Sequence, residues 1–144
     1  MALFNTVALC DQAYCDRDTG KAILAGIFAG DILVAQFPSK IRMSVYAEFL
    51  PPQSGHHSVS IKIHVNRKKY AEAVLEAQDA VAGIPAILIV PNFELGIPEP
   101  ATLEIRASVA GARDIVIIRK QIILGQRPPF APPSLETAQE DGRR

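Results

Sequence analysis

The chain is poor in the residues that usually announce chemistry. Its 144 residues include two cysteines, Cys10 and Cys15, and three histidines, His56, His57 and His64. Neither sign of charge is in excess, with 15 Lys and Arg against 15 Asp and Glu. A protein that holds nucleic acid through its phosphates needs a basic surplus to displace counterions, so no nucleic-acid partner is expected. Long apolar runs are also missing. The most apolar stretch, residues 22–35, is broken by Asp31, and it is shorter than the roughly 20 helical residues that cross a bilayer. The opening residues 1–7 lack the basic and apolar regions of a secretory signal. The expected setting is therefore cytoplasmic, away from membranes. There the two cysteines are expected as reduced, structural thiols. Their odd spacing would put them on opposite faces of one strand, and joining them would require a bulge or turn.

What is present is material for a core. Apolar residues make up 49% of the chain, which rules out a wholly disordered polypeptide. A single domain of this size buries about two thirds of its unfolded surface and needs neither metal nor disulfide to fold.

The apolar residues recur with a period of two. Val59, Ile61, Ile63 and Val65 alternate with Ser58, Ser60, Lys62, His64 and Asn66. This is the pattern of a half-buried antiparallel strand. Residues 102–109 repeat it, and residues 40–49 do so less cleanly. Turn residues separate the runs. Asp16, Asp18 and Gly20 can reverse the chain between strands at residues 5–14 and 21–28. Asn66-Arg67-Lys68 can lead into a strand at residues 69–78, and residues 110–114 into one at residues 115–124. Residues 70–78 are rich in helix formers, but Ala71, Ala73, Leu75 and Ala77 alternate with Glu72, Glu76 and Gln78, which predicts a strand. Pro85 and Pro91 bracket a short apolar strand. Beyond residue 125 the composition changes to Pro128, Pro129, Pro132 and Pro133, followed by charged residues.

The expected fold is all-β: an antiparallel two-sheet β-sandwich, immunoglobulin-like, with about eight strands over residues 1–125, and a flexible Pro-rich tail at 126–144. A small closed barrel is the runner-up. Val59, Ile61, Ile63, Leu103, Ile105 and Val109 are expected to line the interior.

Two segments carry a resemblance. Ala8-Leu9-Cys10-Asp11-Gln12-Ala13, Gly20-Lys21 and Ile23-Leu24-Ala25-Gly26-Ile27-Phe28 resemble the opening of a family of small bacterial β-sandwich proteins of unknown function. Asn92-Phe93 and Ile97-Pro98-Glu99-Pro100 are similar to a later loop of that family. Ala101 and Leu103 depart from its usual glycine and aromatic. The resemblance implies the sandwich fold and no activity.

The groups that could carry chemistry are scattered along the chain. Cys10, Cys15, His56, His57 and His64 lack the close pairing of a zinc site, and His64 is expected to be exposed on a polar strand face. Asp11, Asp16, Asp18 and Asp31 gather near the first hairpin but lack the spacing of a calcium loop, and Asp16 and Asp18 more simply close a turn. Ser54 stands near His56 and His57 without a nucleophile motif. Gly20-Lys21 lacks the flanking residues of a phosphate loop and reads as a turn, and Gly26 and Gly30 read as strand or bulge glycines. Arg67-Lys68-Lys69 reads as a solvated hairpin tip, without aromatics for base stacking. No catalytic, cofactor or metal residue is assigned.

The expected function is thus a non-catalytic protein-interaction or structural module, acting on an unknown protein partner or as a homo-oligomer. Ile115-Val116-Ile117-Ile118 is apolar on both faces and needs a cover beyond the sandwich interior. The alternative is a small ligand- or calcium-binding domain, or a hydrolase, which would need His56, His57, Asp16 and Asp18 to converge at one end.

Overall fold

Side-chain alternation in the sequence becomes strand pairing in space. The structure, a computed structural model, describes residues 2–126 and residue 134. The strands are β1 (Phe4–Cys15), β2 (Ala22–Ile27), β3 (Ile32–Val34), β4 (Ser39–Phe49), β5 (Gly55–Val65), β6 (Lys68–Ala80), β7 (Ala86–Ile97), β8 (Ala101–Val109) and β9 (Ile115–Leu124). They form two sheets, ordered β2-β1-β4-β7 and β3-β9-β8-β5-β6. No helix among the described residues is long and apolar enough to cross a membrane. Residues 127–133 and 135–144, most of the segment expected as a tail, lie outside the described residues.

One core joins the inward faces of both sheets. Leu9, Met43, Val45, Phe49 and Leu95 come from the first sheet, and Val59, Ile61, Ile63, Leu103 and Ile105 from the second. Full burial of such a side chain contributes roughly 1.5–3 kcal/mol. Val109, expected among the interior residues, is only half-buried against this core.

The turns follow from residue chemistry. Asn66 and Arg67 form the two-residue link between β5 and β6, with φ of 49° and 68°, as a tight hairpin with right-handed strand twist requires. In the first hairpin the Asp16 carboxylate accepts the backbone N–H of Asp18 at 2.8 Å and of Thr19 at 3.3 Å. The turn thereby satisfies its own donors.

The observed topology corrects the expected one in two places. There are nine strands among the described residues, and the second sheet is mixed because β3 pairs parallel to β9, Ile32 with Ile122 and Val34 with Leu124. Alternation reports burial, not strand direction, and β3 is too short for its pattern to stand out. β7 also continues through Pro91, where the sequence predicts an end. Pro91 lies on an edge strand, at the register shift opposite Met43 and Val45, where the ladder needs no N–H from it. Residues 70–78 are strand throughout, inside β6.

The first sheet carries a second, smaller cluster formed by Cys10, Ala13 and Tyr46 with Leu24 and Ile89 beside them. Tyr46 donates its hydroxyl to Glu48 Oε2 at 2.6 Å, and burial followed by this carboxylate pushes its pKa up to about 12.

Candidate functional site

Strand register assembles a charged shelf on the second sheet. Across β6, β5, β8 and β9 it aligns Lys69, His64, Glu104 and Arg119 in one row. The neighbouring row places Glu72, Lys62 and Arg106 side by side. All of these stand on the polar faces of strands whose opposite faces fill the core.

Glu104 is the centre of the shelf. Its side chain is 8% exposed, and both oxygens are occupied. Arg106 Nη2 donates to Oε1 at 2.7 Å, while Arg119 Nη2 and Nε donate to Oε2 at 2.6 and 2.9 Å. The Arg106 hydrogen bond, then that of Arg119, holds the carboxyl below its usual range against the opposing effect of burial. Lys62 Nζ meets Asp114 Oδ1 at 2.8 Å. This bond lowers the Asp114 pKa and raises that of Lys62.

His64 is buried, contrary to the exposed position expected from its polar strand face. It stands on a central strand with Lys69 and Glu104 directly across from it on the two neighbouring strands, and the stems of such long charged residues commonly cover a neighbour. Both its ring nitrogens are buried without a hydrogen-bond partner among the described residues, as is Arg106 Nε. Beside it lies a depression of about 550 Å³ lined by Asn66, Arg67, Thr102, Glu104, Arg106 and Arg119. Asn66 ties the hairpin tip to β8, donating its N–H to Thr102 O and accepting the Thr102 N–H on Oδ1, each at 2.9 Å. That clasp places Arg67 at the rim.

A second feature is the seam between the sheets. β3 covers β9 only at residues 122–124, and the Asp31 carboxylate accepts the next inward amide, that of Gln121, at 3.1 Å. Among the described residues no strand pairs with residues 115–120 on that side. β1 lies opposite, and its pairing with β2 starts only at Cys10. Two depressions of about 280 and 290 Å³ run between these strands, and they are lined mostly by apolar residues such as Phe4, Val7, Ile115, Val116 and Ile117. Arg119 and Lys120 stand at one end, and among the described residues no carboxylate lines either depression.

The residues singled out by sequence stay apart. His56 Nε2 lies 2.7 Å from Glu76 Oε2, and His57 Nε2 lies 2.6 Å from the Gln53 carbonyl with its ring edge on Phe49. Ser54 Oγ accepts the Ala82 N–H at 3.0 Å. Asp16 serves its own turn, and Asp11 lies across Gly26, which has φ of 68°. Cys10 is buried and Cys15 exposed, both as free thiols. Burial, then the charge of Asp11, pushes the Cys10 thiol pKa up. Among the described residues no three His, Cys, Asp or Glu side chains form a group that could hold a metal ion. The convergence of His56, His57, Asp16 and Asp18 required by the ligand-binding alternative is therefore not found.

Sequence reasoning reached Arg67 and His64 but missed Glu104, Arg106 and Arg119. The signal was the polar face of β8, where Glu104 and Arg106 alternate with core residues. Only register brings Arg119 and His64 to that pair. No protein-family model matches the chain, and no curated protein matches it.

Proposed function

We propose that the chain is a non-catalytic interaction module, an immunoglobulin-like sandwich akin to the small bacterial family that its opening strands resemble. The order β9-β8-β5-β6 supports that reading, since it parallels the G-F-C-C′ order of variable-type immunoglobulin sheets. The observation that carries the function is the open edge of β9. Among the described residues no strand lies beyond its residues 115–120, and Ile115 and Val116 are 42% and 41% exposed. A sheet edge with free backbone groups and apolar side chains accepts an added strand.

The occupant is an extended segment of a partner protein, with apolar residues at alternate positions and acidic residues at the end beside Arg119 and Lys120. The apolar lining and the cationic end, which has no carboxylate among the described residues, favour that chemistry.

The test uses arrayed extended peptides in which apolar and polar residues alternate, with and without acidic ends. Saturable binding of the acidic-ended set, new hydrogen-exchange protection within residues 115–120, and loss of both in Val116→Lys support the reading. Binding by no peptide, or binding indifferent to Val116→Lys, overturns it. It is also overturned if deletion of residues 127–144 removes protection already present in the protein alone, because the occupant is then the chain's own tail. A concentration-dependent dimer abolished by Val116→Lys assigns the edge to a second copy and overturns it as well.

A further inference from the structure

We propose that the arginine shelf around Glu104 is a binding site for a small oxyanion, the phosphate or carboxylate group of a low-molecular-weight ligand. The shelf lies on the face of the second sheet, and although it shares Arg119 with the seam it rests also on Arg67 and Arg106, which do not line the seam depressions. The depression of about 550 Å³ has the size of small-molecule sites, which run roughly 300–1,000 Å³. Three arginines against one glutamate leave two positive charges in excess among its lining residues.

Glu104 does not exhaust those arginines. A guanidinium offers five N–H donors, and Glu104 engages one nitrogen of Arg106 and two of Arg119. It holds both planes in place while leaving donors for a second anion, the arrangement that suits fork-like recognition of phosphate or carboxylate. Arg106 Nε is buried without a partner among the described residues, and so are both nitrogens of His64 in the adjoining position across from Glu104. Polar groups left in that state lower stability, and of them Arg106 belongs to the lining of the depression.

Arg67 points the same way. It occupies the second position of a two-residue turn at φ of 68°, where glycine is the least strained choice. The chain keeps an arginine there, at the rim of the depression.

The experiment is an NMR and calorimetric titration of the full chain at constant ionic strength with inorganic phosphate, phenyl phosphate and succinate, using sodium chloride as control. The expected result is saturable binding with shifts centred on Thr102, Arg106 and the His64 ring. Equal affinity for both phosphates assigns the free ion, a preference for phenyl phosphate assigns an ester, and binding of succinate alone assigns a carboxylate. Arg67→Gly should raise Tm and weaken binding about tenfold, a loss near 1.4 kcal/mol. Arg106→Gln should weaken it further. Shifts that fail to saturate, or that chloride reproduces, overturn the proposal. So does Arg67→Gly with higher Tm and unaltered affinity.

Discussion

Ser44 has no exposed surface, yet its hydroxyl serves two neighbouring strands. It donates to the Asp11 carbonyl at 3.3 Å and accepts the Asn92 N–H at 3.0 Å. Both contacts fall where regular pairing fails. The β4–β7 register shifts between Met43 and Val45, and Asn92 has φ of 47°. Ser44→Ala orphans one part-buried donor and one part-buried acceptor and should cost about 1 kcal/mol, read as a lower urea midpoint at unchanged m-value. Nothing in Met43-Ser44-Val45 announces that role, because a serine between apolar residues acquires it only from the irregularity opposite. Gly26 was legible by comparison. Its place in a strand predicts a bulge, and its positive φ and the Asp11 carboxylate where a Cβ would stand supply the reason. The ion pairs of the shelf add a pH signature. Glu104 and Asp114 are held below their ordinary values of 4.5 and 3.8. Their stabilisation is complete above those values and is lost as pH falls through the lower folded values. Lys62 is raised above its ordinary 10.5, so its share is present below that value and lost as pH rises beyond it. Denaturation midpoints should therefore decline on the acid side, and Glu104→Gln should flatten that limb relative to wild type.

Strands with clean alternation were readable one by one, while the relations between them were not. The β5 and β8 patterns identified the buried Val59, Ile61, Ile63, Leu103 and Ile105. The same patterns assigned His64 to solvent, because alternation separates two faces without saying how thickly long side chains cover the polar one. β3 escaped because three residues hold no period, and Pro91 because a proline stops a strand only where the ladder needs its N–H. β9 is the element whose sequence said most about function. Its apolar residues on both faces required a cover, and the structure leaves part of that requirement open at the edge. Val116→Lys should shift stability by no more than about 0.5 kcal/mol, since the side chain is already 41% exposed. Thermal unfolding checks this, and a larger loss would place Val116 in the folded core and not on a docking edge.

The molecule as a whole rests on one core shared by two sheets, and composition and periodicity together carried that much. Ile61, 1% exposed, sits inside it. Ile61→Asp buries a carboxylate with no partner and should leave the chain unfolded, because the cost of several kcal/mol approaches a total stability of about 5–15 kcal/mol. Loss of chemical-shift dispersion checks it, and a well-dispersed spectrum would contradict the facing of β5. The order of the strands was beyond reach of the pattern, and with it the parallel closure of β3 on β9. That closure governs the birth of the protein. Ile32 waits for Ile122, 90 residues later in the chain. At a synthesis rate of about 5–20 residues per second, β3 spends roughly 5–18 s without its mate while the rest is translated. A nascent chain halted before residue 122 keeps that strand unmatched, so release of the last segment, more than any earlier hairpin, is the step at which the second sheet becomes complete.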